Sequence, residues 1–194
     1  SQDVRPKDFL DLIAPAAVKF NTDHYICGSL YHCTLALRSY PATTEELATL
    51  TNSFALKLNE LAGAVSRDEN GVFNEDLDTV FAQTRGLYDG ICAEFPFLEA
   101  PERTPKRMIS SPIISRLDFT GFFFPFTAES LINDDSPVCL VPSTILHEIA
   151  HQRNIAGEDE CNFLAILAGL RCDNTTYTYS SALLGFIHLG NALY

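Results

Sequence analysis

The chain has 194 residues and a formal net charge of −12 at pH 7, with 25 acidic against 13 basic side chains. Nucleic acids and anionic membrane surfaces attract faces rich in lysine and arginine, so this charge balance argues against both as partners. The length is typical of one domain with its own hydrophobic core. No apolar run approaches the roughly 18 residues that span a bilayer. The sequence therefore predicts a single soluble domain over residues 1–194.

The first half of this domain, residues 5–97, is predicted to be helical. Two helices are expected over residues 7–20 and 23–37, the first of them kinked by an internal proline. The third helix has the clearest start. Thr43 followed three residues later by Glu46 is the pattern of a capping box, and apolar residues then recur at helical spacing.

A fourth helix is expected to be capped by Asn74 and to keep the helical apolar period until Pro96 ends it. The third and fourth helices each carry an apolar stripe, which predicts that both helices pack inside the domain. The alternative is a groove that binds a partner helix, which is a less common use of such stripes.

A proline-rich connection and a β element are predicted over residues 98–137. Residues 113–126 carry five phenylalanines, a composition that favours one strand or a hairpin, and a turn is expected at residues 133–137. Such a strand can bury its aromatic rings against the helices. Alternatively, it can lie beside a binding site and accept an extended peptide through backbone hydrogen bonds.

The remaining residues, 140–194, are predicted to form helices, the first of which contains the pattern HExxH. On a helix, His147 and His151 lie one turn apart on the same face and can present two imidazole nitrogens to one metal ion. Glu148 lies beside them, where its carboxylate can take a proton from water at the metal. The pattern is short and also arises by chance, so its meaning depends on the surrounding sequence.

A catalytic zinc ion takes three protein ligands and leaves one position open, so a third ligand is needed. The next predicted helix offers Glu158 and Glu160, which point about 200° apart around a helix axis, and only one of them can face the metal. Residues 158–162 resemble the ExxA(D/N) pattern in which one subclass of zincins supplies the third ligand, with Cys161 in place of alanine. This resemblance implies Glu158 as the preferred ligand, and Asn162, one turn further on, can support the site by hydrogen bonding. The alternative is an acidic cluster that complements the helix dipole.

Several segments of residues 110–194 occur together, in order, in one known family. They are GFFFPFTAE at residues 121–129, Pro142, HEIAHQ at 147–152, EDECNF at 158–163 and Tyr-Ser at 179–180. On these residues the chain resembles an uncharacterised family of bacterial membrane-anchored zinc metallopeptidases, which in turn resemble gluzincins. Two positions differ from the family pattern, Asn154 in place of glycine and Cys161 in place of alanine. Neither difference removes a ligand, and asparagine tolerates left-handed backbone geometry better than most residues.

The resemblance implies a Zn²⁺ cofactor, a peptide or protein substrate, and an extracytoplasmic domain whose membrane anchor lies outside this chain. It also suggests Tyr179 as a donor to the developing oxyanion, a role that zinc peptidases often give to Tyr or His after the third ligand. Tyr179 can equally be a packed helix residue. Tyr177 and His188 are weaker alternatives for the donor.

The prediction is an α+β, predominantly helical domain of zincin-like fold that hydrolyses peptide bonds. His147, His151 and Glu158 bind Zn²⁺, Glu148 acts as general base and proton shuttle, and Tyr179 stabilises the oxyanion. The alternative function is a non-catalytic binding or sensory domain that keeps a structural or vestigial zinc site. The six cysteines contain no CxxC pair, and their spacing is compatible with disulfides or with buried thiols.

Overall fold

The computed structural model describes residues 42–108, 115 and 120–194. The helices expected over residues 7–20 and 23–37 lie outside the described residues. The expected α+β, mostly helical class is confirmed for the part that the structure describes. The elements, in chain order, are α1 (Thr44–Leu61), α2 (Leu77–Ala82), α3 (Asp89–Cys92), β1 (Lys106–Arg107), β2 (Gly121–Phe124), β3 (Glu129–Ile132), α4 (Val141–Gln152), α5 (Glu158–Arg171) and α6 (Thr175–Leu193), with short 3-10 turns at Pro96–Leu98 and Val138–Leu140.

Helix α1 begins with the capping box that the sequence predicts. The backbone N–H of Thr43 donates to Glu46 Oε2 at 2.8 Å, and the backbone N–H of Glu46 donates to Thr43 Oγ1 at 3.2 Å. Two N–H groups that have no partner within the helix are thereby satisfied. Further along α1, Phe54 is only 2 % exposed and anchors the helix to the rest of the domain.

The predicted fourth helix, capped by Asn74 and continuous to Pro96, is wrong. Asp76 provides the cap instead, since its Oδ2 accepts from the Thr79 N–H at 2.9 Å, and α2 already ends at Ala82. The chain then turns through Gly86, whose φ is +73°, a left-handed conformation that glycine adopts without steric cost. The apolar residues of the stripe still reach the core: Val80, Phe81, Tyr88, Ile91 and Phe95 are all buried.

The small sheet has the strand order β1-β3-β2. Strands β2 and β3 form an antiparallel hairpin in which Gly121 pairs with Ile132 and Phe124 with Glu129, which confirms the predicted β element. Strand β1 pairs in parallel with β3. The expectation that the strand buries its aromatic rings holds for one face only, because Phe122 and Phe124 are exposed while Phe123, between them, is half-buried against His151 of α4.

Helix α4 lies at the centre of the main core. Its residues Ile145, Leu146 and Ala150 are fully buried, and they pack with Leu164 and Ala165 of α5 in one cluster. Helix α5 also contacts α6, which in turn packs on α1. Helix α4 is therefore packed on several sides, which fixes the positions of the side chains on its remaining face.

Helix α6 begins at Thr175, within the segment that is predicted to be helical. The side chain of Asn174 caps it by accepting from the N–H groups of Thr176 and Tyr177 at 3.1 and 3.3 Å. None of the helices in the described residues combines the length and the apolar character that a bilayer crossing requires. The cysteines at positions 92, 139, 161 and 172 are free thiols.

Candidate metal centre

Two helices bring three potential ligands together. On α4, His147 Nε2 and His151 Nε2 lie 3.1 Å apart. Glu158, the first residue of α5, places Oε2 3.1 Å from His147 Nε2 and Oε1 3.6 Å from His151 Nε2. Ligand atoms about 2.05 Å from a tetrahedral zinc ion are about 3.3 Å from one another. The three side chains thus already have roughly the spacing that a tetrahedral metal site requires.

The second nitrogen of each imidazole is held by an oxygen that accepts a hydrogen bond. His147 Nδ1 lies 2.8 Å from Asn162 Oδ1, and His151 Nδ1 lies 2.8 Å from the Ile155 carbonyl oxygen. A carbonyl oxygen can only accept, so in the neutral rings the proton lies on Nδ1 and the lone pair on Nε2 of each histidine. Asn162 contacts the site in the way that its position one turn after Glu158 predicts.

The turn between α4 and α5 places the Ile155 carbonyl. Asn154 has a φ of 65°, and its N–H donates to the His151 carbonyl at 3.0 Å. The N–H of Ile155 donates to the Ala150 carbonyl at 3.3 Å, and these two bonds form a Schellman motif. The expectation that asparagine can replace glycine at position 154 is confirmed, since Asn154 adopts the left-handed conformation.

A second possible ligand set uses Cys161 in place of Glu158. His147, His151 and Cys161 form a group that could hold a metal ion. However, Cys161 Sγ lies 3.3 Å from His151 Nδ1, on the side of the ring that already donates to Ile155. Burial, reinforced by nearby carboxylates, raises the pKa of the Cys161 thiol well above its usual range. The arrangement of the two rings therefore favours a ligand on the Nε2 side, where Glu158 lies.

Glu148 places its carboxylate in the same region but is buried, with 4 % of its surface exposed. Its Oε2 has no hydrogen-bond partner among the described residues. Burial, with a smaller contribution from the charge of Glu158, raises the pKa of Glu148 to about 8. A buried carboxyl oxygen without a partner is costly, which indicates that a proton, water or ligand completes it.

Strand β2 passes directly over this carboxylate. A Cβ atom on Gly121 would lie 2.4 Å from Glu148 Oε1, so only glycine leaves room for the side chain. Two residues on, the ring of Phe123 stacks on His151 at a centroid distance of 6.2 Å and an angle of 11°. The sequence carries one signal for the close approach of β2 to Glu148. Gly121 is an isolated glycine within a β-rich run, and such a glycine often marks a place where the backbone passes close to another group.

The candidate ligands open into a cleft of about 720 Å³ between the hairpin and the helices. Burial, and then the proximity of His151, lowers the pKa of His147, which favours the neutral ring that a metal ion needs. The cleft is lined by Thr120, Gly121, Phe122, Phe123, Pro125, Ala128, Ser136, Pro137, Leu140, Ser143, Thr144, His147, Glu148, His151, Gln152, Asn154, Ile155, Ala156, Glu158, Asn162 and Leu184.

Tyr179, the predicted oxyanion donor, does not line the cleft. Its ring stacks on Phe73 at 5.6 Å, and its hydroxyl accepts from Arg67 at 3.3 Å. The next residue of α6, Ser180, faces α4 instead and accepts from the Ser143 N–H at 2.9 Å. One residue is about 100° of helix rotation, so Tyr179 points toward a different surface.

The weaker donor candidates and the competing acid also lie elsewhere. Tyr177 is buried and donates to the Val80 carbonyl at 2.8 Å, which is a structural bond. His188 is exposed on α6. Glu160 is buried with its Oε2 close to Gly157. Of the two glutamates at the start of α5, it is Glu158 that lies beside both histidines.

Comparison with known proteins adds a family and no activity. No curated protein matches the chain, and no solved structure matches it. A family model does match, and its range includes the whole candidate metal centre. The chain belongs to the family described as "Protein of unknown function (DUF3810)", whose model covers residues 24–194.

Proposed function

We propose that this protein is a zinc-dependent peptidase whose zincin-like active site lies between α4 and α5. One observation carries the proposal: His147 Nε2, His151 Nε2 and the Glu158 carboxylate converge, with the two nitrogens 3.1 Å apart, next to the buried carboxylate of Glu148. Two imidazole lone pairs that face each other at this distance repel unless a cation or a proton lies between them. A metal ion relieves that repulsion and neutralises the nearby carboxylate charge.

The donor set suits zinc. Two imidazole nitrogens and one carboxylate oxygen are a common ligand set of catalytic zinc, and they leave one coordination position open. The hydrogen bonds from Nδ1 of His147 to Asn162 and from Nδ1 of His151 to the Ile155 carbonyl orient the rings, as partners of metal ligands usually do. Cys161 would need the Nδ1 side of His151, and we therefore assign Glu158 as the third ligand.

A bound zinc ion supplies a Lewis acid that acidifies water and polarises a carbonyl group. Glu148 then has two tasks. Its carboxylate takes a proton from the attacking water and later delivers it to the leaving amide nitrogen. Burial raises the pKa of Glu148 to about 8 in the metal-free chain, and the positive charge of a bound zinc ion would favour the ionised carboxylate that accepts the proton.

The substrate in this proposal is an extended polypeptide. Strand β2 runs beside the catalytic groups, with Gly121 at Glu148 and Phe123 at His151. A chain that follows β2 through the cleft brings its carbonyl groups past both residues. Tyr179 has no role here, because its hydroxyl binds Arg67 outside the cleft. An extracytoplasmic location and a membrane anchor outside this chain complete the proposal and rest on the family resemblance.

The test combines elemental analysis with a peptide-library cleavage assay. Protein purified without chelator should contain one equivalent of zinc, and chelation should abolish cleavage. Glu148→Gln should keep the zinc and lower turnover by about 10³-fold, because the ligands remain while the base is lost. Unchanged turnover in this variant would contradict the mechanism. Stoichiometric zinc without any cleavage would instead support the non-catalytic binding or sensory domain.

The third ligand has its own matched comparison. Glu158→Gln should weaken zinc binding strongly, whereas Asp159→Asn removes an exposed charge from the adjacent position and should leave it unchanged. Cys161→Ala should also retain zinc. Loss of zinc in the Cys161 variant with retention in the Glu158 variant would reverse the assignment.

A further inference from the structure

The cleft continues into three exposed phenylalanine rings on the hairpin. Phe122, Phe124 and Phe126 are 48 %, 41 % and 79 % exposed. The rings follow one another, with centroid distances of 6.3 Å between Phe122 and Phe124 and 5.5 Å between Phe124 and Phe126. We call these three residues the aromatic ladder. Phe122 also lines the cleft, so the ladder begins at the candidate active site and leads away from it.

The alternation of strand β2 explains why Phe122 and Phe124 of the ladder face outward. Phe123 points toward His151, and its neighbours on β2 necessarily point to the opposite face. Large apolar side chains exposed next to one another are uncommon on monomeric proteins and usually mark an interaction site. The ladder is not required for the packing of Phe123, since the opposite face could carry polar residues, as most strands with one solvent-exposed face do.

The hairpin that carries the ladder is braced from the side. Arg103 donates to the Thr127 carbonyl at 3.0 Å, and Lys106 forms an ion pair with Glu129 at the start of β3. These contacts join the turn of the hairpin to the segment around β1. The backbone that carries the three rings is therefore held in place relative to the cleft, which lowers the ordering cost of binding there.

We propose that the aromatic ladder binds an apolar segment of the polypeptide substrate adjacent to the scissile bond. The inference rests on the proposed peptidase function and specifies its substrate class: chains that expose apolar side chains and carry a neutral or positive charge. Two observations select this partner. The ladder is continuous with the cleft through Phe122, and the net charge of −12 on the chain favours the approach of neutral or positively charged segments.

A lipid surface is the other partner that exposed phenylalanines can bind. The chain carries a net charge of −12, which opposes approach to an anionic bilayer. Insertion of the ladder into lipid would also not explain why the row of rings begins at the cleft. The polypeptide is therefore the partner to test first, and vesicles provide the comparison.

The test measures binding without cleavage, in the Glu148→Gln protein. Two fluorescein-labelled peptides of equal length and equal positive charge are compared by anisotropy, one with leucine and phenylalanine at alternate positions and one with serine and glutamine there. The apolar peptide should bind about tenfold more tightly. Adding Phe124→Thr and Phe126→Thr should remove most of this difference, since threonine keeps β propensity while the rings are lost.

Val72→Thr is the matched control, because Val72 is 60 % exposed at a distant turn and the change removes apolar surface there without altering the side-chain shape. This control should keep the full preference for the apolar peptide. Equal binding of the two peptides, or an undiminished preference in the Phe124/Phe126 variant, would overturn the proposal. So would ladder-dependent binding to phosphatidylcholine vesicles without any discrimination between the peptides.

The binding assay separates the two proposals. If the ladder binds the apolar peptide but no cleavage or zinc is found, the peptidase function fails and the docking surface stands. If zinc and cleavage are found but the peptides bind equally, the substrate class fails and the peptidase stands. Zinc content of each variant should equal that of the parent, which confirms that the substitutions left α4 and α5 intact.

Discussion

The polar face of α4 and α5 and the contact between α5, α6 and α1 are built in opposite ways. In the second region, small residues make room for larger neighbours. A Cβ on Gly169 would lie 1.9 Å from Ser181 Oγ, and a Cβ on Gly185 would lie 2.3 Å from the ring of Phe54. Each gap is filled by a side chain of the protein itself, which is how a packed interior reaches its normal density.

The polar face of α4 and α5 is not filled by the protein's own side chains in this way. His147 and His151 present lone pairs to each other at 3.1 Å, and Glu148 Oε2 has no partner in the part of the chain that the structure describes. Native proteins tolerate unsatisfied buried polar groups mainly where function needs them. Stability therefore resides in the helix contact, which forms without any ligand, while the polar face costs free energy that a bound ligand can offset.

The largest expected effect concerns the polar face, where Glu148 should make the stability of the metal-free protein depend on pH. The folded-state pKa of Glu148, about 8, exceeds the usual value of 4.5, so between these values the folded state keeps a proton that the unfolded state has lost. Stability should therefore fall as pH rises, by up to about 1.4 kcal/mol per pH unit. Urea unfolding with chelator between pH about 5 and about 8 measures this slope.

The informative quantity is the difference between wild type and Glu148→Gln. The lowered pKa of His147 contributes the opposite slope at acidic pH, because there the unfolded state binds the extra proton. This term is common to both proteins and cancels in the comparison. The glutamine variant should thus gain stability over wild type as pH rises, and parallel profiles would show that Glu148 is not held in the way described.

The next largest effect is expected from a substitution that disturbs the contact between α6 and α1 and leaves the polar face of α4 and α5 unchanged. Gly185→Ala places a methyl group against the ring of Phe54, and the unfolding free energy should fall by about 1–3 kcal/mol. Gly190→Ala is the control on the same helix. Nothing lies within 4 Å of its Cβ position, so the change should raise stability by up to about 1 kcal/mol through helix propensity. Zinc stoichiometry should stay the same in both variants.

The smallest effect concerns the turn that joins α4 to α5. Asn154 has a φ of 65°, and Asn154→Ala should lower the unfolding free energy by about 1 kcal/mol because alanine resists this conformation. Asn154→Gly should be neutral or slightly stabilising. The alanine variant should also bind zinc more weakly, since the turn places the carbonyl that holds His151. Identical unfolding and zinc titrations for both variants would contradict the assigned role of the turn.

Part of the candidate site follows from local sequence alone. His147 and His151 lie one turn apart on any helix, and Glu158 and Asn162 are likewise one turn apart on the next. The capping pair at Thr43 is equally local. These relations hold within a few residues, so periodicity and side-chain chemistry are sufficient to predict them.

Where the sequence predictions failed, the deciding contact joins distant residues. The stripe that ends in Phe95 is interrupted at Gly86, and Tyr88 donates to the Leu146 carbonyl at 2.8 Å across 58 positions. No helical pattern encodes that bond. The rotation of α6, which turns Tyr179 toward Phe73 and away from the cleft, depends in the same way on packing against α1 and α4.

The amino-acid sequence alone was sufficient to predict the α+β class, a β element, the HExxH helix and the residue types that can hold a metal ion. Three features arise only when the elements pack together: Gly121 lies over Glu148, Cys161 lies on the Nδ1 side of His151, and three phenylalanines extend the cleft. Helix period, capping and strand alternation act between neighbours in sequence, so they carry no information on such contacts. The orientation of one element against another results from packing that no single segment contains.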